Sequence, residues 1–364
     1  MSVPSAMHRL LLRIAGQAPA ALLGTARARL ADGAVSEVAR MVAFAAAARQ
    51  IRLTDPDVLL LTGVLTAAGA PDDLLADLPR AAADRTPPYV WTPDLPTGPT
   101  PPGGSHAAGP PGSAVSGVDA HAANTAPDGV DGVDRAAVDA LVDALAGGEA
   151  KPVGLWRVWR RPAPATPYPP ATRVYLVQAR AGAVALTARI QAALVAVGGT
   201  DPLVEVFGHL AGLPAYHRRA LEAAVLLWAA RPARRVRVAA TFDTLDATGN
   251  PTFGPDRPRL STSEANRVAG YLAAGVPLVT SPARVPDVVT PGRTVPVDLL
   301  GDGRWIWSAA TGHYLTRYRI APDDGLLAAV RAAGYAPPDV DAVAVHRCRA
   351  ALAEATGAVR RTAG

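Results

Sequence analysis

The chain has 364 residues, 49% of them apolar, and a formal net charge of +5. That is enough for two or three domains of roughly 100–200 residues each, with sizeable cores. A single cysteine, Cys348, excludes an internal disulfide framework and a cysteine-based zinc site, and fits a reducing cytoplasm.

The N-terminal run "MHRLLLRIAGQAPAALL" begins with a basic residue, but Arg13 interrupts its apolar stretch, so it makes a poor signal peptide. Residues 1–83 are expected to form a small helical bundle. "HRLLLRIAG" gives a first helix. "PAALLGTARARLADG" gives a second, with Pro19 in its first turn and Gly33 at its stop. Ser36 is placed to cap "EVARMVAFAAAARQ", where Val38, Met41, Val42 and Ala45 repeat at helical spacing. Thr54 or Asp55 is placed to cap the fourth helix, with Pro56 in its first turn and Gly69 at its end. Val58–Pro71 is uncharged but shorter than the about 20 residues that span a bilayer, so a soluble protein is expected.

Residues 84–133 read as a flexible linker. The segment is rich in Pro, Gly, Ser and Ala, lacks apolar periodicity, and cannot bury enough surface to offset the entropy of ordering. Within it "PPYVW" is the exception: Tyr89, Val90 and Trp91 are expected to dock, on a domain first and on a partner as the alternative. Residues 84–150 carry nine acidic and two basic side chains, whereas 151–364 carry 26 basic and 15 acidic. A basic C-terminal part beside an acidic linker suits either an internal screen or an anionic partner.

Residues 134–364 are expected to form an α+β module. "RAAVDALVDALAG" reads as a short amphipathic helix and "TRVYLVQAR" as a strand. "AVALTARIQAALVAVGG" follows as a helix, "PLVEVFGHL" as a strand and "PAYHRRALEAAVLLWAA" as a helix. "RRVRVAATFDTL" reads as a strand and "DATGNPTF" as a turn. The helix "TSEANRVAGYLAAG", short strands near 276–279 and 293–298, the strand "RWIW" and three closing helices complete the chain. Strands alternate with helices at first and helices gather at the end, which favours α+β over a doubly wound sheet.

Phosphate-binding glycine loops, paired metal-ligand motifs and a nucleophile elbow are absent from the sequence, and no cofactor is expected. Of the 36 basic residues only Lys151 is a lysine, a pattern of coding bias that weakens any reading of a lone arginine. The arginines are scattered apart from Arg231, Arg234, Arg235 and Arg237. His217 is a candidate general base, with Glu205 or Glu222 to orient it. Asp243 and Asp246 flank a turn, where aspartate is ordinary.

"RLSTSEAN" carries a Ser-Thr-Ser that resembles the nicotinamide-pocket element of Arg-type ADP-ribosyltransferases, with Arg173 or Arg237 as the strand arginine that resemblance requires. No Glu-x-Glu follows, however, and Ser261 with Glu264 reads first as the cap of a helix.

"GDGRWIWSAATGHYL" concentrates aromatic residues in a chain that is only 5% aromatic. Trp305 and Trp307 share one face of a strand, Ser308 caps a helix, and Tyr314 and Tyr318 share a face of it. One aromatic patch is expected where the strand meets the helix. It reads first as core; the alternatives are a partner surface formed by Trp305, Trp307, His313, Tyr314, Arg317 and Tyr318, and then a small-molecule pocket. The same segment, followed by Pro322 and "LLAAVRAAGY", resembles the C-terminal part of uncharacterised actinobacterial proteins sharing an Asp-Gly-x-Trp-x-Trp pattern, a resemblance that implies no activity.

The expected function is that of a non-enzymatic interaction protein, an adaptor, regulator or structural accessory, whose two tethered modules bind another protein. A nucleotide- or NAD-handling enzyme in the C-terminal module is the first alternative, and a nucleic-acid binder the second.

Overall fold

The computed structural model describes residues 2–69, 75, 80, 89–95, 130–163 and 170–362, with side chains to residue 355. The fold is α+β, with helices leading and closing the chain. Contacts divide it into two compact units, Met1–Pro232 and Ala233–Gly364.

The first unit opens with α1 (Val3–Ile14), α2 (Ala20–Ala31), α3 (Val35–Ala47) and α4 (Asp55–Ala67). Thr54 starts α4: its backbone N–H and its hydroxyl both donate to Asp57 Oδ2, at 3.1 and 2.7 Å. Ser36 lies inside α3 rather than at its cap. Gly33, at φ +80°, turns the chain so tightly that α3 begins at Val35.

These helices do not stand apart. They pack on α6 (Ala183–Ala196) and on a five-stranded sheet of β1 (Tyr89–Thr92), β2 (Pro152–Pro162), β3 (Thr172–Ala179), β4 (Leu203–Phe207) and β5 (Val225–Ala229). The path runs β1-β2-β3-β4, and β5 pairs with β2. β3 and β4 are parallel and joined through α6, while β2 runs antiparallel to β1, β3 and β5.

Tyr89, Val90 and Trp91 therefore dock back on a domain, Tyr89–Thr92 pairing with Trp159–Pro162. The remainder of the expected linker between 96 and 129 lies outside the described residues. One core of Leu141, Leu155, Tyr175, Val177, Ile190, Val206 and Trp228 joins α5 (Gly132–Ala146), α6 and the sheet.

Three elements differ from expectation, the first being "RRVRVAATFDTL", which is not one strand but two short ones, Arg237–Val238 and Thr244–Leu245, in different sheets. The helix α7 (Ala215–Ala223) stops before Val225, and "VLLWA" extends as β5. Its branched and aromatic side chains suit a pleated, half-buried surface, and pairing with β2 decides the outcome. β2, the central strand, was not anticipated, because its arginines hide the apolar alternation.

The second unit holds a four-stranded sheet in the order β6 (Arg237–Val238), β13 (Trp305–Ser308), β12 (Leu299–Gly301) and β9 (Val276–Val279). Two hairpins, β7 (Thr244–Leu245) with β8 (Pro251–Thr252) and β10 (Arg284–Pro286) with β11 (Thr294–Pro296), lie between its strands in sequence. Helices α8 (Thr262–Ala273), α9 (Ala309–Tyr318), α10 (Asp324–Ala332) and α11 (Ala342–Thr362) complete the unit.

Val268, Tyr271, Leu272, Trp307, Leu315, Leu326 and Val330 form its main core. Gly275 is required there: a Cβ would lie 2.4 Å from Cζ2 of Trp307. Among the described residues no helix is long and apolar enough to cross a membrane.

Candidate functional site: an arginine-lined cleft

The aromatic segment divides between two cores rather than forming one patch. Trp307 is 1% exposed and packs with Tyr271. Tyr314, also 1% exposed, packs with Phe242, Phe253 and the half-buried Tyr318. The cause is the turn at Ser308: its hydroxyl accepts from Ala310 N at 3.2 Å, and α9 then places Tyr314 in a second cluster while Leu315 joins that of Trp307. Of the six residues read as a partner surface, Trp307 and Tyr314 are thus core side chains. Arg317 is exposed, with its guanidinium 5.9 Å from the Tyr318 ring centre.

His313 and Tyr318 meet at Asp287, which is 4% exposed. Asp287 Oδ2 accepts from His313 Nε2 at 2.9 Å and from Tyr318 Oη at 2.7 Å. Its Oδ1 accepts from Val289 N and Thr290 N. Burial opposes ionisation of Asp287, but these four donors outweigh it and hold the carboxyl below the usual range. A carboxylate that orients a half-buried histidine is the geometry of proton transfer. Here it also ties the loop Asp287–Thr290 to α9.

Trp305 is half-buried and belongs to a different feature. β6 and β13 pair in parallel, with Arg237 in register with Trp305. This brings Arg234, Arg235 and Arg237 from one end of the unit beside Arg304 and Trp305 from 70 residues downstream. The result is a cleft of about 690 Å³, closed by Ala329, Ala332, Ala333 and Ala336 on and after α10 and by Tyr271 and Asp302 at the back.

Asp302 is hydrogen-bonded on both oxygens. Its Oδ1 accepts from Arg304 N and Trp305 N at 2.8 and 2.7 Å, and its Oδ2 accepts from Tyr271 Oη at 2.7 Å. Burial, together with that hydrogen bond, raises the Tyr271 hydroxyl, which stays protonated.

The four guanidinium groups have no ion pair among the described residues. Arg237 stands over the Trp305 ring at 5.5 Å. Several arginines elsewhere are held by carboxylates. Arg173, a candidate from the Ser-Thr-Ser resemblance, is held by Asp131 at 2.5 Å and Asp134 at 3.1 Å. Arg157 is held by Asp134 at 2.8 Å, Arg257 by Asp243 and Arg331 by Glu264 at 2.8 Å. Ser261 caps α8, its Oγ accepting from Glu264 N at 3.3 Å, and the Glu264 carboxylate is committed to Arg331 and Tyr335.

A second polar cluster is sealed inside the first unit. Glu205, 0% exposed, accepts from Arg27 Nη2 at 2.5 Å, and the same oxygen lies 3.1 Å from His217 Nε2. His217 is thus oriented by Glu205, as one of the two carboxylates considered for it, but is itself 0% exposed. Nearby, His8 Nε2 donates to Val206 O at 2.7 Å, occupying a carbonyl of the edge strand β4. Burial pushes the His8 imidazole down to about 4, so it is neutral there.

Asp246 serves its turn, Oδ1 accepting from Thr248 N and Asn250 N. Among the described residues no group of three or more His, Cys, Asp or Glu is placed to hold a metal ion. No known family, curated protein or solved structure matches the chain.

Proposed function

We propose that the protein is a non-enzymatic binding protein of the cytoplasm whose C-terminal unit recognises an anionic partner in the arginine-lined cleft. One observation carries the reading. Arg234, Arg235, Arg237 and Arg304 line one concave surface, and none of the four makes an ion pair among the described residues. Like charges gathered in a low-dielectric hollow raise the local potential and favour an anion over solvent. Guanidinium groups also present forked donors that match phosphate and carboxylate oxygens. The Ala329–Ala336 wall and Trp305 add apolar surface, as in most ligand clefts.

Calorimetric titration of the full chain with inorganic triphosphate tests the reading. Binding at about 50 mM salt should weaken steeply by about 200 mM, as expected of charge-driven association. The double variant Arg235→Gln/Arg304→Gln should lose it while melting like the parent, since neither guanidinium makes an ion pair in the fold. No binding at low salt, or equal affinity in the variant, would overturn the reading.

A further inference from the structure

We infer that the anion taken by this cleft is a phosphorylated nucleoside, with its phosphates among the arginines and its sugar and base across Trp305 toward Asp323. The inference rests on the anion-binding reading of the same cleft and adds the chemistry of the ligand.

Three features select this class over a simple polyanion. The first is that the cleft is not alone. A second hollow of about 440 Å³ shares Arg235, Arg237 and Trp305 with it and is completed by Val236, Val238 and Asp323. A ligand lying over Trp305 therefore reaches two environments: a cationic one at Arg234 and Arg304, and a mixed one at Asp323.

The second feature is Asp323 itself. Its Oδ1 accepts from Gly325 N at 2.9 Å and Leu326 N at 3.1 Å, capping α10. Its Oδ2 has no bond among the described residues. A carboxylate in this position repels phosphate and carboxylate groups. It attracts hydroxyl and amine donors, which a ribose and a base provide and which inorganic triphosphate, an acidic peptide or a simple dicarboxylate does not.

The third feature is the platform between the hollows. The Trp305 edge is seated against Gly325, where a Cβ would lie 2.7 Å from Cη2, so the indole sits close on α10. Arg237 lies over its face at 5.5 Å. An indole paired with a guanidinium is a sequence-tolerant stacking surface for a planar base. The combined space is of small-molecule size.

A free nucleotide and the terminal nucleotide of a single strand share this chemistry. The test compares four probes on the full chain at one ionic strength, without divalent cations: ATP, GTP, inorganic triphosphate and a 5′-phosphorylated single-stranded pentanucleotide. A nucleotide or the strand should bind at least tenfold tighter than triphosphate; tighter ATP or GTP identifies a free nucleotide, and a tighter strand identifies a nucleic-acid end.

Asp323→Asn retains an α10 cap, since asparagine caps as well as aspartate, and should bring nucleotide affinity down to that of triphosphate. Trp305→Leu should do the same; melting temperatures report whether each variant is folded. If triphosphate binds as tightly as every nucleoside-bearing probe, the nucleotide inference falls and the anion reading stands. If none of the four binds, both fall.

Discussion

Replacing Arg27 with methionine should cost the first unit about 3–5 kcal/mol. Arg27 is 1% exposed and its pair with Glu205 is sealed between α2 and β4, so methionine keeps the packing and leaves a buried carboxylate with only His217 beside it. Removing one member of a buried ion pair typically costs that much, because the remaining charge is uncompensated.

The electrostatics have the same sign. Burial raises the Glu205 carboxyl, but the Arg27 charge and the His217 hydrogen bond outweigh it and bring it to about 2, against an ordinary 4.5. That gap is worth about 3 kcal/mol. Because the folded value is depressed, this stability is present in full above pH 4.5 and is lost as pH falls toward 2.

The assay is hydrogen exchange of the β4 peptide in parent and variant from pH 7 to pH 3, referenced to intrinsic rates. The variant should lose protection at pH 7, and the difference should narrow as pH falls toward 3, where the uncompensated carboxyl is protonated. Arg27→Met/Glu205→Leu should recover most of the loss, since an apolar pair of similar volume replaces the ions. A single variant within 1 kcal/mol of the parent, or a deficit as large at pH 3 as at pH 7, would refute the reasoning.

Three further outcomes follow from the structure. His8 is held neutral, with its folded value near 4 against 6.5 unfolded, so the first unit should lose about 3 kcal/mol as pH falls from 6.5 to 4. His8→Gln should flatten that part of a pH–stability profile measured by urea unfolding; an unchanged profile would remove the assignment. Trp307→Ala should destabilise the second unit by about 3–5 kcal/mol in the same assay, because the indole is 1% exposed. Trp305→Leu, at a half-buried position, should cost clearly less, and equal costs would contradict the division between core and cleft. Gly275→Ala should lower the melting temperature of the second unit by overpacking against Trp307, at about 1–3 kcal/mol; a neutral result would show that the indole has room to move.

Local patterns carried much of the fold. The α1–α4 helices, α6, β3, β4, β13 and the Ser261 cap follow from periodicity, cap residues and turn residues read over short windows. What failed was non-local. Val225–Ala229 has the composition of either element, and only the vacant edge of β2 makes it a strand. β2 itself carries Arg157, Arg160 and Arg161, whose charges mask alternation until Asp134 and Asp94 are seen beside Arg157.

The cleft was half-legible for the same reason. Arg234, Arg235 and Arg237 stood out as a cluster without interleaved aromatics. The aromatic residue and the fourth arginine arrive through the pairing of β6 with β13, about 70 residues apart. The expectation of one aromatic patch extrapolated a strand–helix junction without the turn at Ser308 that sends Trp307 and Tyr314 into separate cores.

The most direct test of the central claim is a phenylglyoxal footprint of the full chain, read by mass spectrometry with and without saturating triphosphate. Arg234, Arg235, Arg237 and Arg304 should react quickly in the free protein and be protected together by the anion, while Arg173 and Arg157, already held by carboxylates, stay slow in both states. Protection that falls on other arginines, or none at these four, would contradict the account.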